Sequence, residues 1–204
     1  MPGTGSGSRP AARGLTMFDH FRYLAPIYDR LMGPPDADQL AGIMKLPVPG
    51  RILDSGGGTG RMALALRPLA GQVVVADASA YMLARARGKT LTAVAARSES
   101  LPFADACFER VLVVDALHHF GAQRQALAEL VRVLAPGGRL LIEEFDANRT
   151  VVRLIALAEK AIGMGSRFLR PQDIRDMLNG YGLATQLHGR GGFGAWIVAD
   201  KAGP

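Results

Sequence analysis

Residues 51–61, Arg-Ile-Leu-Asp-Ser-Gly-Gly-Gly-Thr-Gly-Arg, decide how this 204-residue chain folds. A short apolar strand runs through an acid, Asp54, into four glycines within five positions. Gly56, Gly58 and Gly60 allow the backbone to turn sharply at the end of a buried strand and to come close to a ligand, because no Cβ stands in between. The helix that follows directs its first N–H groups to the same place. The pattern predicts a site for a nucleotide-type cofactor.

The acid at the strand end refines the type of cofactor. A carboxylate at Asp54 would repel a pyrophosphate, whereas it can hydrogen-bond a cationic amino group or a bound water. This favours a cofactor that bears an amino acid over a dinucleotide. Two other interpretations stay open at this point. Gly58, Gly60 and Ala63 also fit the spacing of a dinucleotide fingerprint, and a glycine-rich turn can belong to an ordinary α/β domain.

Length and composition limit the class of protein. At 204 residues with 49% hydrophobic content, the chain can bury one α/β core and has no room for a second large domain. No apolar run is long enough to cross a bilayer and residues 1–8 lack the apolar core of a signal peptide, so we expect a cytoplasmic protein without a membrane span. The single Cys107 excludes an internal disulfide and a cysteine-based zinc site, and we expect no metal. The net charge of +6 comes from scattered basic residues, which does not favour a nucleic-acid partner.

Apolar strands alternate with helical segments through most of the chain. Residues 1–15 are rich in Gly, Ser, Pro and Ala without an apolar period and predict a disordered tail. From Met17 the apolar spacing predicts two short helices broken at Pro26, then a helix that Asp36 caps and that runs to about Met44. The predicted strands are Arg51–Asp54, Gln72–Ala76, Leu91–Ala96, Arg110–Val114, Arg139–Phe145, Leu183–His188 and Ala195–Asp200. The predicted helices among them are Thr59–Leu69, Ala80–Arg87, Arg124–Leu134, Val151–Ile162 and Pro171–Leu178.

This order of elements predicts an α/β fold with a doubly wound, mostly parallel seven-stranded sheet and helices on both faces. The turn Gly189-Arg190-Gly191-Gly192 makes the last two strands an antiparallel C-terminal hairpin. We expect a single domain over residues 16–204, with cap helices in 16–48, a cofactor-binding core in 49–146, and lid helices and the hairpin in 147–204. A monomer and a homodimer both stay open.

With its segments in this order, the chain resembles the class I S-adenosylmethionine-dependent methyltransferases. It is most similar to the group that includes the ubiquinone and menaquinone biosynthesis C-methyltransferases. The motifs that carry the resemblance are Asp54-Ser55-Gly56-Gly57-Gly58-Thr59-Gly60, Asp77-Ala78-Ser79 with Met82-Leu83, Leu101-Pro102-Phe103 with Phe108, Ala116-Leu117-His118-His119-Phe120, and Leu134-Ala135-Pro136-Gly137-Gly138. Each motif is weak alone, but five in the expected order and spacing are specific.

The resemblance implies that the cofactor is S-adenosyl-L-methionine. Asp54 and the glycine turn would hold its methionine part, Asp77 would accept from the ribose hydroxyls, and Met82 would pack on the adenine. Capping of the next helix is the alternative role for Asp77. Arg97 departs from the family, which has an acidic acceptor for the adenine amino group there, so the Ser98 backbone is the expected contact. The cofactor-binding residues implied in this way are Asp54, Ser55, Gly56, Gly58, Thr59, Gly60, Asp77, Ala78, Met82, Arg97, Ser98, Glu99, Asp115 and Ala116.

Candidates for catalysis follow the fourth strand, Asp115 and His118-His119, and the fifth, Glu143, Glu144 and Asp146, and Tyr28 precedes the first strand. Methyl transfer needs a base only if the acceptor must lose a proton. His118 and His119 are the candidate bases, and because they are adjacent we expect at most one to face the pocket. Tyr28 could close over the reacting centre. The apolar helices predict a small hydrophobic or aromatic substrate that is methylated at carbon or oxygen. A nucleic-acid or tRNA methyltransferase and a non-catalytic S-adenosylmethionine-binding domain remain the alternatives.

Overall fold

A computed structural model of the chain describes residues 25–145, 166–190 and 194–203. The predicted tail 1–15, the helix predicted from Met17, the helix Val151–Ile162 and two glycines of the hairpin turn lie outside the described residues. The helices are α1 (Tyr28–Met32), α2 (Ala37–Met44), α3 (Arg61–Leu66), α4 (Ala80–Gly88), α5 (Gln123–Val133) and α6 (Pro171–Gly180). The strands are β1 (Val48–Ser55), β2 (Ala70–Asp77), β3 (Thr92–Ala95), β4 (Phe108–Val114), β5 (Leu134–Phe145), β6 (Ala184–Gly189) and β7 (Gly194–Asp200).

The seven strands form one sheet in the order β3-β2-β1-β4-β5-β7-β6. Strands β1 to β5 pair in parallel, whereas β7 pairs antiparallel with both β5 and β6. The predicted doubly wound fold with an antiparallel C-terminal hairpin is therefore confirmed. The strand order reverses between β1 and β4, and ligands of open α/β sheets bind at the carboxyl ends of the strands beside such a reversal.

Helices cover both faces of the sheet, and each face has its own apolar core. Side chains of α5 and α6, such as Leu127, Leu130 and Ile174, are fully buried against one face. Side chains of α2, α3 and α4, such as Met44 and Leu83, are buried against the other. Strands buried on both faces lose the apolar and polar alternation of half-exposed strands, which is why β1, β2, β4 and β5 are apolar runs in the sequence. The sheet is therefore a rigid platform for the loops at its carboxyl edge.

Some element bounds differ from the predictions for local reasons. The predicted helix Thr59–Leu69 is α-helical only over α3, and a 3-10 turn, Arg67–Leu69, contains Pro68 and ends it. The predicted helix capped by Asp36 is confirmed, because the Asp36 carboxylate accepts from the Gln39 N–H at 3.0 Å. In the part of the chain that the structure describes, no helix is long and apolar enough to cross a membrane.

Polar contacts fasten α1 to the helices beside it. The Asp29 carboxylate accepts a short hydrogen bond from the Thr59 hydroxyl and pairs with the Lys89 ammonium. Arg61 donates to the Gly33 carbonyl at 3.2 Å, and Arg85 donates to the Pro26 carbonyl at 2.9 Å. These bonds place α1 over the glycine turn, at the carboxyl edge of the sheet.

Candidate functional site

A cavity of about 440 Å³ opens at the carboxyl edge of the sheet, where β1, β2 and β4 end. Fourteen of the seventeen predicted site residues line it: Tyr28, Asp54, Gly56, Gly58, Asp77, Ala78, Met82, Arg97, Ser98, Glu99, Asp115, Ala116, His118 and His119. The position agrees with the binding crevice of doubly wound sheets. The sequence motifs that predicted cofactor binding and those that predicted catalysis therefore meet in one cavity.

The glycine turn forms the floor of the cavity and needs its glycines for different reasons. Gly56 has φ +72°, and a Cβ there would lie 2.7 Å from the Cβ of Ala116. Gly58 has φ +56°, and a Cβ there would make only ordinary van der Waals contact, 3.9 Å from Met82 Sδ. Gly58 is therefore required by its backbone conformation and not by a steric clash. At Gly60 a Cβ would lie 2.4 Å from Leu91, so this glycine serves close packing of the helices and strands.

Asp77 ends β2 and is held by backbone donors on both sides. One carboxylate oxygen accepts from the Gly58 N–H at 2.9 Å and the other from the Ser79 N–H at 2.7 Å. Burial raises the pKa of Asp77, although these two hydrogen bonds act in the opposite direction. The N-cap of α4 is Ser79, whose hydroxyl accepts from the Met82 N–H. The N-cap of α4 is therefore Ser79 and not Asp77, and each Asp77 oxygen can still accept a further hydrogen bond.

Asp54 lies at the end of β1 and is only 1% exposed. Its carboxylate accepts from the Ala63 N–H of α3 at 3.2 Å, and a Cβ on Gly57 would lie 2.5 Å from its carboxyl carbon. The pKa of Asp54 is raised to about 7. Burial is the main cause and the neighbouring Asp77 adds to it, whereas Arg61 acts in the opposite direction. A buried carboxylate with one hydrogen-bond donor is well suited to a cationic group.

Three predicted cofactor residues do not line the cavity. The Thr59 hydroxyl donates to Asp29 of α1 and so faces away from the cavity. The Ser55 hydroxyl is buried against the Ser98 hydroxyl at 2.8 Å. Gly60 packs against Leu91, as described above. The carboxylate of α1 therefore binds the Thr59 hydroxyl, and the cofactor contact of Thr59 stays a prediction.

Charged contacts hold residues 97–99, which line the cavity. The Arg97 side chain is 60% exposed, and its guanidinium lies 3.2 Å from a Glu99 carboxylate oxygen. That oxygen also accepts from the N–H groups of Gly121 and Ala122, at 2.8 and 3.2 Å, just before α5. Burial alone would raise the pKa of Glu99, but these hydrogen bonds hold it below its usual range. The side chain of Ser98 is paired with Ser55, so the Ser98 backbone remains the better candidate for an adenine contact.

His118 and Glu144 form a buried pair in the cavity wall. The Nδ1 atom of His118 lies 2.9 and 2.8 Å from the two carboxylate oxygens of Glu144, and the side chains are 4% and 3% exposed. The His118 backbone N–H also donates to Glu144 at 3.3 Å. The imidazole stacks on Phe168, with ring centroids 4.3 Å apart and an interplanar angle of 18°. These contacts hold the ring in a single orientation.

His119 also lines the cavity, so the prediction that at most one of the two histidines faces it is wrong. Both fit because residues 117–119 form a 3-10 turn, which places the two rings side by side with centroids 4.0 Å apart. His119 Nδ1 lies 3.2 Å from the Ser166 hydroxyl. Burial and the neighbouring His118 lower the pKa of His119 to about 3, so this imidazole is neutral at physiological pH.

Asp115 and Tyr28 complete the wall between the histidines and α1. Asp115 has φ +50°, a strained value for this residue. Burial raises the pKa of Asp115 to about 6, with further contributions from Glu143 and Glu144 and an opposing one from His118. Burial, followed by the charge of Asp115, raises the pKa of Tyr28. Glu143 itself points to the opposite face of β5, where it pairs with Arg190 and accepts from Trp196 Nε1 at 2.6 Å.

Sequence reasoning missed nine residues of the cavity wall: Met32, Gly57, Arg61, Met62, Ala96, Val114, Phe120, Gly121 and Phe145. Val114 and Phe145 end the parallel strands β4 and β5, so the rule that ligands bind at carboxyl ends could have found them. Arg61 and Met62 begin the helix after the glycine turn. Met32 lies on α1, and nothing in its local sequence indicates the cavity. Among the described residues, no group of His, Cys, Asp and Glu is arranged to hold a metal ion.

Comparisons with known proteins agree with this geometry. Residues 53–142 match a family described as a methyltransferase domain. A demethylmenaquinone methyltransferase of Thermus thermophilus is 43% identical over 105 residues, covering 48% of this chain and 48% of that protein. The chain thus spans about half the length of this curated relative. The predicted resemblance to the menaquinone group is confirmed over that part of the chain.

Solved structures extend the likeness to the whole fold. A SAM-dependent methyltransferase from Thermotoga maritima matches with a TM-score of 0.73 at 24% identity, over 89% of this chain and 98% of that chain. The cyclase SpnF matches with a TM-score of 0.74 at 18% identity, over 93% of this chain and 98% of that chain. At these identities the structures show a shared fold, and a fold of this kind hosts more than one reaction.

Proposed function

We propose that this protein transfers a methyl group from S-adenosyl-L-methionine to carbon or oxygen of a small hydrophobic or aromatic molecule, because residues 53–142 match a family described as a methyltransferase domain. The observation that carries the proposal is the carboxylate pair at the glycine turn. Asp54 and Asp77 end neighbouring strands, and Gly58, whose N–H donates to Asp77, also lines the cavity. A ligand with a cationic amino group and a ribose matches that pair.

The chemistry of the donor set fits the two ends of S-adenosyl-L-methionine. Asp54 would bind the ammonium group. Asp77 would accept from the ribose hydroxyls with the lone pairs that its backbone partners leave. Met82 and the backbone of Ser98 would flank the adenine. When bound, the cofactor supplies an electrophilic methyl group on a positively charged sulfur.

The residues of the chain contribute orientation, charge and exclusion of water. Four carboxylate residues line the cavity, Asp54, Asp77, Glu99 and Asp115, against two arginines, Arg61 and Arg97. A cationic cofactor would favour the ionised forms of these acids. The α1 helix covers one side of the cavity, and a site closed to water aligns the reactants and strengthens these electrostatic interactions.

Part of the cavity wall is aromatic. Phe120, Phe145, Tyr28 and the two histidines are among the residues that line the cavity. Such walls favour a flat apolar acceptor with one or two polar groups. The relative from Thermus thermophilus is named for a quinone substrate, and an aromatic headgroup of that kind is one acceptor that this wall could accommodate.

Transfer of a tritiated methyl group tests the proposal. The protein is incubated with labelled S-adenosyl-L-methionine and, in parallel, with a small-molecule library, tRNA and DNA. We expect label in an apolar or aromatic small molecule. Label that enters only nucleic acid would establish a different methyltransferase, and cofactor binding without transfer to any acceptor would indicate a non-catalytic binding domain.

A further inference from the structure

We infer that the Arg97 guanidinium recognises the base of the cofactor as a hydrogen-bond donor, so that the site favours a 6-oxopurine base over the 6-amino base of adenine. Arg97 lines the cavity and would determine the specificity of its base end, which rests on the proposed function. The matching ligand is S-inosylhomocysteine, in which an oxygen replaces the amino group of S-adenosylhomocysteine.

The order of the strands places residues 97–99 at the base end of the cavity. Strand β2 lies between β1 and β3, and residues 96–99 follow β3 directly and line the cavity. The Ala96 N–H donates to the Asp77 carbonyl at 3.0 Å, which fixes this loop beside the end of β2. A ligand with its amino group at Asp54 and its ribose at Asp77 therefore directs its base toward residues 97–99.

Side-chain acceptors at this end already have partners. The Ser98 hydroxyl is 2.8 Å from the Ser55 hydroxyl and is buried. One carboxylate oxygen of Glu99 accepts from the N–H groups of residues 121 and 122 and from the Arg97 guanidinium. The amino group of adenine is a donor and needs an acceptor to match it. The side chains of this loop are therefore poorly arranged to select adenine by its amino group.

Arg97 supplies only donors to the same place. A guanidinium carries several N–H groups in a planar fork and cannot accept a hydrogen bond. Among the described residues, the Glu99 carboxylate, 3.2 Å away, is the one partner of this guanidinium. Gly121 leaves room for the pair, since a Cβ there would lie 3.1 Å from Arg97 Nη2. The guanidinium therefore keeps donors that can bind a ligand in the cavity.

These donors match a 6-oxopurine. Hypoxanthine, the base of inosine, presents two neighbouring acceptors, O6 and N7, as guanine does, and a guanidinium binds that pair with two hydrogen bonds. Adenine presents an acceptor at N7 beside a donor, its amino group, which a guanidinium leaves without a partner. The Ser98 backbone carries one N–H and one carbonyl, so it can pair with either base. Selection between the two bases therefore depends on Arg97.

Calorimetric titration of the wild type with S-inosylhomocysteine and with S-adenosylhomocysteine tests the inference without turnover. The two ligands share the ribose and the amino acid and differ only in the base. We expect S-inosylhomocysteine to bind about fivefold more tightly or better, which is the low end of the discrimination that arginine gives at guanine. The low end applies because the Arg97 side chain is 60% exposed and partly solvated.

Three substitutions of Arg97 change the hydrogen-bonding groups in steps. Arg97→Asp leaves only acceptors and should reverse the preference, so that S-adenosylhomocysteine binds more tightly. Arg97→Asn supplies a neutral amide that both accepts and donates, and the preference should disappear. Arg97→Lys keeps a positive charge and donors without the planar fork, and should keep a smaller preference for S-inosylhomocysteine. A purely structural role of Arg97 would weaken both ligands equally and leave the ratio of affinities unchanged.

Arg170→Asn is the matched control. The Arg170 side chain is 61% exposed and pairs with a nearby carboxylate, Asp173, at 2.7 Å, but it is not among the residues that line the cavity. This variant should show the ratio of affinities of the wild type. Thermal unfolding of each variant reports whether it folds. If Arg97→Asp does not fold, Arg97→Asn still tests the change in preference without adding a negative charge beside Glu99.

Two outcomes would overturn the inference and leave the proposed function intact. The first is a wild type that binds S-adenosylhomocysteine more tightly than S-inosylhomocysteine, which would mean that an acceptor such as the second oxygen of Glu99 binds the amino group. The second is one ratio of affinities shared by the wild type and all Arg97 variants. Binding of neither ligand by the wild type would instead contradict the proposed function.

Discussion

Replacement of Asp54 by Asn should separate the folding cost of this carboxylate from its role in binding. Burial raises its pKa from 3.8 to about 7. A shift of about three pKa units at about 1.4 kcal/mol each means that ionising Asp54 costs the folded, ligand-free protein about 4 kcal/mol. The folded state therefore binds a proton that the unfolded state has lost. The stability that the folded state gains from binding this proton is complete below pH 4 and is lost as the pH rises to 7 and beyond.

A bound ammonium group would favour the ionised form of Asp54 and release its proton. At pH 6 about nine tenths of Asp54 is protonated in the free protein, so binding of S-adenosylhomocysteine should release up to ~0.9 proton per site. The affinity should rise roughly eightfold between pH 6 and pH 7.5, by the same relation. Asp54→Asn should bind more weakly, release no proton from this site, and melt at a higher temperature than the wild type at pH 7.5 without ligand.

Isothermal titration calorimetry in two buffers of different ionisation enthalpy counts the released protons directly. Asp115→Asn is the matched control, since Asp115 also lines the cavity and has a raised pKa, of about 6, but follows β4, whereas Asp54 is in β1. It should keep most of the proton release. Equal proton release by wild type and Asp54→Asn, or a wild-type affinity that falls with pH over this range, would refute the assignment of Asp54 to the ammonium group.

Further predictions concern the rest of the cavity wall. Asp77→Ala should weaken S-adenosylhomocysteine binding more than tenfold, that is by ~1.4 kcal/mol or more, in calorimetry; an unchanged affinity would make Asp77 purely structural. Gly56→Ala should destabilise the protein more than Gly137→Ala in thermal unfolding, because both have φ +72° but only Gly56 would clash, 2.7 Å from Ala116; equal losses would contradict the steric argument. Lys89→Met should speed dissociation of S-adenosylhomocysteine in stopped-flow measurements by loosening α1; an unchanged dissociation rate would show that α1 does not hold the ligand.

The fold could be predicted from the sequence because its signals are local. The apolar runs of β1, β2, β4 and β5 are bounded by turn residues, and the Asp36 cap and the hairpin turn are short-range patterns. The predicted bounds of the helices and strands were less accurate than the predicted fold. β5 begins at Leu134, five residues before its predicted start, because pairing with Phe108 of β4 extends the ladder across a register shift. Such pairing depends on a neighbouring strand and leaves no local signal.

The acids and glycines of the cavity wall were easier to predict than the contacts of its histidines, for a similar reason. Asp54, Gly58 and Asp77 follow strands directly, so the sheet alone brings them together. The His118 and Glu144 pair joins positions 26 residues apart, and a glutamate at the end of an apolar strand does not reveal its partner. The hydrogen bond from the Thr59 hydroxyl to Asp29, thirty residues earlier, is of the same kind. Long-range side-chain contacts decide these details, and the sequence motif does not encode them.

Calorimetric titration with S-adenosylhomocysteine and with NAD tests the central claim, that the glycine turn and its two carboxylates form an S-adenosyl-L-methionine site. The structure predicts one saturable site for S-adenosylhomocysteine, with affinity lowered more than tenfold by Asp77→Ala, and no binding of NAD, whose pyrophosphate Asp54 would repel. Binding of NAD alone would contradict the account and would show that the glycine-rich turn is of the dinucleotide-binding type.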